Sequence, residues 1–174
     1  MARLRKGVAY RGIERPYTRK SKYKKKAFVK AIPTLKVISF DMGDLKKNFE
    51  YNTYLISKDM VQIRHNAIES ARQTCNRFLE KNLGKGGYNY KIMIYPHHVL
   101  RENPLASGAG ADRFSTGMQK SFGKPIGLAA RVKENQILMK VSANKNALQI
   151  ARNALKRAQY KLPCSCSIEV KKNE

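Results

Sequence analysis

The sequence lacks long hydrophobic runs and tryptophan, and it contains only three cysteines. No stretch approaches the roughly 20 apolar residues that cross a bilayer. Residues 1–10 contain no hydrophobic segment of the kind found in a secretory signal. Cys75, Cys164 and Cys166 cannot all pair within the chain, so a disulfide framework is not expected. We therefore expect a protein of the reducing cytoplasm that has no membrane partner.

Acidic residues are also scarce, with 12 Asp and Glu against 36 Lys and Arg, which gives a net charge of +24. Chains this basic are typical of proteins that bind polyanions. The length of 174 residues and the apolar content of 42% suit a single domain with a buried core. We expect that domain to comprise a basic extended arm at 1–34, a body at 35–172 and a flexible loop at 103–123 within the body.

The basic charge is concentrated in the arm, where residues 1–30 hold 12 basic residues and one acid. Such a segment buries little, so we expect it to be extended and to pack on RNA rather than on the body. Tyr10, Tyr17 and Tyr23 lie among the cations and could stack on unpaired bases. A solvated tail kept for solubility is the alternative. The candidate RNA-binding residues are Arg3, Arg5, Lys6, Arg11, Arg15, Tyr17, Arg19, Lys20, Lys22, Lys24, Lys25 and Lys26, with Arg72 and Lys124 in the body.

Periodicity in the body predicts strands at 35–41, 53–56, 88–94, 98–102, 128–133, 137–141 and 166–170. Apolar residues at helical spacing predict a first helix that begins after a cap at Ser57 or Asp59 and stops at Gly84. Arg72 is expected on its outer face. A second helix is predicted between Asn144 and Pro163. This order favours an α+β fold, with two helices packed on one face of a mainly antiparallel sheet.

Motifs that would indicate catalysis or metal binding are weak. The glycines at 84–87 follow a helix rather than a strand, unlike a phosphate-binding loop. Cys164 and Cys166 could supply half of a zinc site, with Cys75, His65, His97 and His98 as further candidate ligands, but a buried thiol is the ordinary explanation for Cys75. No nucleophile elbow accompanies His97 and His98. We therefore predict no enzyme, no cofactor, no metal and no small-molecule substrate.

A long Gly-rich segment between two predicted strands is the most informative feature of the chain. It runs Ser107-Gly108-Ala109-Gly110-Ala111-Asp112-Arg113 and continues through Thr116-Gly117-Met118 to Phe122-Gly123-Lys124-Pro125. A compact domain rarely keeps so long a loop without a function for it. We expect it to take its order from a partner, because no apolar period runs through it.

This segment closely resembles the signature of the L-ten-e family of large-subunit ribosomal proteins, found in archaea and eukaryotes, whose bacterial counterpart is L-sixteen. The resemblance covers essentially the whole chain. Four further blocks carry it: Pro16-Tyr17-Thr18-Arg19-Lys20, Phe40-Asp41-Met42-Gly43, Glu69-Ser70-Ala71-Arg72 and Pro96-His97-His98-Val99-Leu100-Arg101. The longer C-terminal extension of eukaryotic members is missing, so an archaeal member is expected.

The resemblance implies a hammerhead-type α+β fold, a place in the large ribosomal subunit near the transfer-RNA sites, and a loop directed toward the peptidyl-transferase region. Its implied partners are large-subunit ribosomal RNA, the tRNA acceptor region and neighbouring ribosomal proteins. A free-standing RNA-binding or RNA-modification factor is the alternative, and a DNA-compacting protein fits the charge but not the loop. The implied tRNA-facing residues are Ser107, Gly108, Ala109, Gly110, Ala111, Asp112, Arg113, Thr116 and Gly117.

Overall fold

A computed structural model describes residues 5–14, 17–18, 21–29, 31–103, 108, 110, 117, 119 and 122–173. In chain order the elements are β1 (Asp41–Gly43), β2 (Tyr51–Ser57), β3 (Val61–Arg64), α1 (His65–Leu83), β4 (Asn89–Ile92), β5 (His98–Glu102), β6 (Lys124–Val132), β7 (Ile137–Ala143), α2 (Leu148–Gln159) and β8 (Cys166–Lys172). Short 3-10 turns occupy Gly7–Tyr10, Lys24–Lys26 and Lys145–Ala147. None of the helices described is long and apolar enough to cross a membrane.

The strands form two antiparallel sheets. The larger sheet has the order β1-β4-β7-β2-β8, and the smaller one has the order β3-β6-β5. The α+β prediction is confirmed, with the refinement that the expected sheet is divided in two. The division occurs at β3, which leaves β2 after a short turn and pairs with β6 instead.

The core lies between the helices and the sheets. Helix α1 turns Ile68, Ala71, Cys75 and Leu79 inward, and all four are fully buried. Their spacing of three or four residues places them on one stripe of the helix. Helix α2 buries a stripe that consists mostly of alanine: Ala151, Ala154, Leu155 and Ala158. Because alanine side chains are short, they allow the α2 backbone to approach its neighbours closely.

The first helix begins later than its sequence pattern predicts. Residues 61–64 form strand β3, and α1 starts at His65 rather than near Ser57 or Asp59. Val61 and Ile63 fit a strand as well as a helix, and their pairing with Val132 and Ala130 decides between them. The predicted end is correct, because Gly84 has a φ of +68° and donates its N–H to Glu80.

One strand prediction before the first helix also needs correction. Of the strand expected at 35–41, only Asp41 is in a strand, and β1 continues through Met42 to Gly43. Gly43 lies in β1 with a φ of +85°, and a Cβ there would lie 2.2 Å from the Tyr88 carbonyl oxygen. Gly43 pairs with Asn89 in the sheet, and only a residue without a Cβ can approach the Tyr88 backbone this closely. A glycine, which is typical of turns, is therefore part of a strand here.

Candidate nucleic-acid interface

The basic arm is bound to the body, which corrects the expectation that it packs on RNA alone. Its principal anchor is Gln62 in β3, which is only 7% exposed. The side-chain amide of Gln62 donates hydrogen bonds to the carbonyl oxygens of Tyr10 at 3.1 Å and Gly12 at 3.0 Å. Its backbone N–H donates to the Arg11 carbonyl at 2.9 Å. One buried glutamine therefore holds three consecutive arm residues, two through its side-chain amide and one through its backbone N–H.

Further anchors come from all three strands of the smaller sheet. In β3, Arg64 donates to the carbonyl oxygen of Arg5 at 3.0 Å. In β6, Arg131 donates to the Glu14 carbonyl at 3.0 Å. Gln62 and Arg131 are directly paired across the strands, so their side chains share one face of the sheet. The other face carries Ile63 and Ala130, which belong to the core beside α1. Residues 10–14 of the arm therefore lie on the face opposite the core, whereas Val29, further along the arm, packs against Val99 and Leu128.

Strand β5 holds the arm at two points. The side chains of Thr18 and His98 are joined by a hydrogen bond of 2.9 Å between Oγ1 and Nδ1. Arg5 forms an ion pair with Glu102 at the end of the strand. Burial lowers the pKa of His98 to about 4, and the positive charges of Arg131 and Arg101 add to the effect. The ring is therefore neutral at physiological pH, and its Nδ1 can accept a hydrogen bond from the Thr18 hydroxyl.

Anchoring leaves most of the described arm cations exposed. Lys6, Arg11, Lys22, Lys24, Lys25 and Lys26 are all exposed. These charges face solvent, because apart from the Arg5 ion pair the described polar contacts with the body use backbone carbonyls and the Thr18 hydroxyl. Arg5 is half-exposed even with its ion pair. The arm therefore carries a row of cations on a backbone that is held in place.

An exposed aromatic ring lies within this row. Tyr23 is 61% exposed, and the ammonium groups of Lys22 and Lys26 lie 5.4 Å and 5.9 Å from its ring centre. Tyr17 is half-buried instead and packs edge-on against Phe28 at 6.2 Å. A ring flanked by cations can stack on a base while its neighbours contact phosphates. Tyr23 fits that role better than Tyr17, although Tyr17 was the tyrosine selected from the sequence.

Arg72 is not the exposed helix cation that the sequence pattern predicts. Its side chain is 12% exposed, and its Nε and Nη2 donate to both oxygens of Glu69 at 2.8 Å and 2.7 Å. Glu69 also accepts hydrogen bonds from Gln73 and from the Ile38 backbone. Burial raises the pKa of Glu69, but these hydrogen bonds outweigh it and the pKa is lowered overall. Glu69 thus joins α1 to the segment before β1, through the Ile38 backbone. The Arg72 guanidinium already donates two hydrogen bonds to Glu69.

The Gly-rich loop begins and ends at one place on the smaller sheet. Glu102, the last residue of β5, is paired with Lys124, the first residue of β6, so residues 103–123 leave and return side by side. Lys124 is exposed at this position. Gly108, Gly110 and Gly117 all have positive φ values, which residues with a Cβ rarely adopt. The Arg101 guanidinium donates to the Phe122 carbonyl across the base of the loop.

The remaining predicted site residues lie outside the described residues: Arg3, Arg15, Arg19, Lys20, Ser107, Ala109, Ala111, Asp112, Arg113 and Thr116. Sequence reasoning missed the anchors Gln62, His98 and Arg131. The alternation of Arg131 with Ala130 and Val132 was the available signal, because a polar residue at every second strand position marks the face away from the core. Gln62 gave no such signal, since its segment was assigned to a helix.

A basic arm that is fixed on a small sheet and keeps its described cations exposed is typical of a nucleic-acid-binding protein. The family model described as "Ribosomal protein L16p/L10e" matches residues 17–169. The chain is 43% identical over 170 residues to the large ribosomal subunit protein uL16 of Methanococcus aeolicus, covering 97% of this chain and 95% of that protein. It is 42% identical over 171 residues to the protein of the same name in Methanococcus maripaludis, covering 98% and 96%.

The chain therefore belongs to the L16p/L10e family of ribosomal proteins. Its function is that of a structural component of the large ribosomal subunit, and it is not an enzyme. The archaeal relatives agree with the archaeal membership expected from the sequence. The free-standing RNA factor has no support in these comparisons.

Proposed function

We propose that the arm and the smaller sheet together form the surface by which this protein binds large-subunit ribosomal RNA in the cytoplasmic ribosome. The observation that carries the proposal is the arm geometry. Its backbone carbonyls accept hydrogen bonds from β3 and β6, its Thr18 and Arg5 side chains contact β5, and most of its described cations stay exposed. A positioned row of cations pays less ordering entropy on binding than a free tail does, and each phosphate contact releases condensed counterions.

Residues 22–26 are the most concentrated part of the proposed surface, with four lysines around Tyr23. The lysines supply phosphate contacts, which position the protein without reading sequence. Stacking of Tyr23 on an unpaired base adds roughly 1–3 kcal/mol. Specificity for one site in a folded RNA then comes from the fixed distance between this stacking ring and the phosphate contacts.

The loop at 103–123 has a separate proposed role toward tRNA. It begins and ends on the sheet that holds the arm, and Arg5 of the arm pairs with Glu102 at its base. The RNA-binding surface would therefore fix the position of the base of the loop relative to the bound RNA. Small residues such as Gly108 and Gly110 let the backbone pass close to a nucleic acid. Arg113 would contribute a phosphate contact with the tRNA acceptor region.

Sedimentation of a tagged copy tests the ribosomal assignment. The wild-type chain should migrate with large subunits in a high-salt gradient. A variant with Lys22, Lys24, Lys25 and Lys26 changed to Gln should dissociate at lower salt. The matched control changes Lys46, Lys47, Lys171 and Lys172 to Gln, which removes the same charge from exposed positions beside the larger sheet. Migration of the wild-type chain as a free protein would refute the proposal and favour an independent RNA-binding factor.

A further inference from the structure

A pair of cysteines lies where the chain leaves α2 and enters β8. The Sγ atoms of Cys164 and Cys166 are 3.6 Å apart, and both residues are partly exposed. The peptide between them is fixed: the Ser165 N–H donates to the Asp59 carboxylate at 2.8 Å, and its carbonyl accepts from the Lys58 N–H at 2.9 Å. The backbone conformation that these two hydrogen bonds fix therefore places the two thiols next to each other.

The two thiols are chemically unequal. A hydrogen bond from Cys166 lowers the pKa of Cys164 to about 7, with a smaller contribution from Ser57 and opposition from burial and from Asp59. The same hydrogen bond, burial and Asp59 raise the pKa of Cys166. Asp59 is thus the charged group that acts on both sulfurs. The thiolate is the nucleophilic form of cysteine, so Cys164 is the reactive member of the pair.

We propose that Cys164 and Cys166 form a thiol–disulfide exchange site for low-molecular-weight disulfides. The Cys164 thiolate attacks one sulfur of the small disulfide, forms a mixed disulfide and releases the first small thiolate. Cys166 then loses its proton to water and attacks the Cys164 sulfur, which releases the second small thiolate. The protein loses two electrons and forms the Cys164–Cys166 bond, while the small disulfide gains two electrons and becomes two thiols.

The geometry favours this reaction over metal binding. Among the described residues, no group of three or more His, Cys, Asp and Glu is placed to hold a metal ion, whereas a closed zinc site needs four ligands. Closure of the sulfurs from 3.6 Å to a bond of about 2.05 Å requires a local shift of the turn at 163–166. Because the bond spans only one intervening residue, it is strained and is readily reduced again. The site is therefore reversible.

Cys75 provides an internal reference for the reaction. It is fully buried on α1, and burial raises its pKa to about 12. We expect it to stay reduced in the folded protein under conditions that oxidise the pair. Any reaction at Cys75 would report unfolding rather than exchange at the proposed site.

The test treats the full-length protein with oxidised glutathione without oxygen and follows it by intact mass and peptide mapping. The wild-type chain should lose two hydrogens as the internal disulfide forms. Cys166→Ser should stop at a stable glutathione adduct on Cys164. At pH 7 the wild-type chain should react about threefold faster than Cys164→Ser, because a larger thiolate fraction outweighs the lower nucleophilicity of a more acidic thiol. Ser165→Ala keeps both thiols and is the matched control.

The pH dependence separates this site from an ordinary exposed cysteine. The wild-type rate should rise with a midpoint near pH 7, and Cys166→Ala should move that midpoint toward the usual value of about 8.5, because alanine cannot donate the hydrogen bond that Cys166 gives to the Cys164 sulfur. A wild-type chain that accumulates only glutathione adducts, or that reacts no faster than Cys164→Ser, overturns the proposal. Circular dichroism confirms that each variant is folded before its rate is compared.

Discussion

Replacement of Gln62 by Ala should release the arm from the body. The side-chain amide makes two hydrogen bonds, to Tyr10 and Gly12, and it is almost completely buried. Each neutral hydrogen bond contributes about 1 kcal/mol net, so the change should cost about 2 kcal/mol of arm attachment. That cost raises the detached fraction of the arm about thirtyfold. The core residues are untouched, so the melting temperature of the body should change much less.

Hydrogen exchange measures this effect directly. The amides of Ala9 and Arg11 are bonded within the first 3-10 turn, and they should exchange about thirtyfold faster in Gln62→Ala. Gln136→Ala is the matched control, because Gln136 accepts a hydrogen bond from the Lys133 N–H in the β6–β7 turn. The control should leave exchange in the arm unchanged. Unchanged exchange in Gln62→Ala itself would refute the reasoning and show that the arm does not depend on this anchor.

Three further predictions concern the body. His98 should make stability depend on pH: its pKa is about 4 in the folded protein and about 6.5 in the unfolded chain, so stability is complete above about pH 6.5 and declines as pH falls toward 4. His98→Gln should flatten that decline in thermal unfolding curves. Glu69→Ala should cost about 2 kcal/mol in urea unfolding, because it leaves its arginine partner unpaired at a largely buried position. Gly43→Ala should cost at least about 2 kcal/mol through its positive φ and the clash with the Tyr88 carbonyl.

Each of these predictions has a control on the same chain. His97→Gln replaces the exposed neighbouring histidine and should leave the pH dependence in place. Gly86→Ala changes a glycine whose Cβ would meet nothing within 4 Å, and it should be nearly neutral. Glu80→Ala removes a carboxylate from the exposed face of the same helix, where its contact with Lys85 is 3.8 Å long. Equal effects in a variant and its control would contradict the corresponding prediction.

The sequence predicted correctly those parts of the fold that depend on interactions between residues close together in the chain. The end of α1 at Gly84 follows from a glycine at the end of an apolar stripe, and the alternation in β6 and β7 identifies half-buried strands. The start of α1 was missed because Val61 and Ile63 suit either structure, and only the distant partner β6 selects the strand. The division into two sheets depends on the same long-range pairing, which periodicity cannot reveal.

The candidate site was predictable in composition but not in geometry. The excess of lysine and arginine identified the arm, and the Gly-rich segment identified the family. The attachment of the arm was not predictable, because the carbonyl oxygens of Tyr10 and Gly12 have no sequence signature and their partner Gln62 lies 52 and 50 residues away. Arg72 shows the opposite error. Its position on the helix suggested that the side chain is exposed. The structure shows instead that the side chain is largely buried and that its guanidinium is paired with Glu69.

The salt dependence of binding tests the central claim most directly. Affinity for large-subunit ribosomal RNA would be measured at several salt concentrations for the wild-type chain, for the variant with Lys22, Lys24, Lys25 and Lys26 changed to Gln, and for the variant with Lys46, Lys47, Lys171 and Lys172 changed to Gln. Loss of four phosphate contacts lowers the slope of log K against log salt by about three to four. We predict that reduction for the arm variant and a reduction below about one for the control. Equal slopes in the two variants would contradict the account, because the arm would then contribute only net charge.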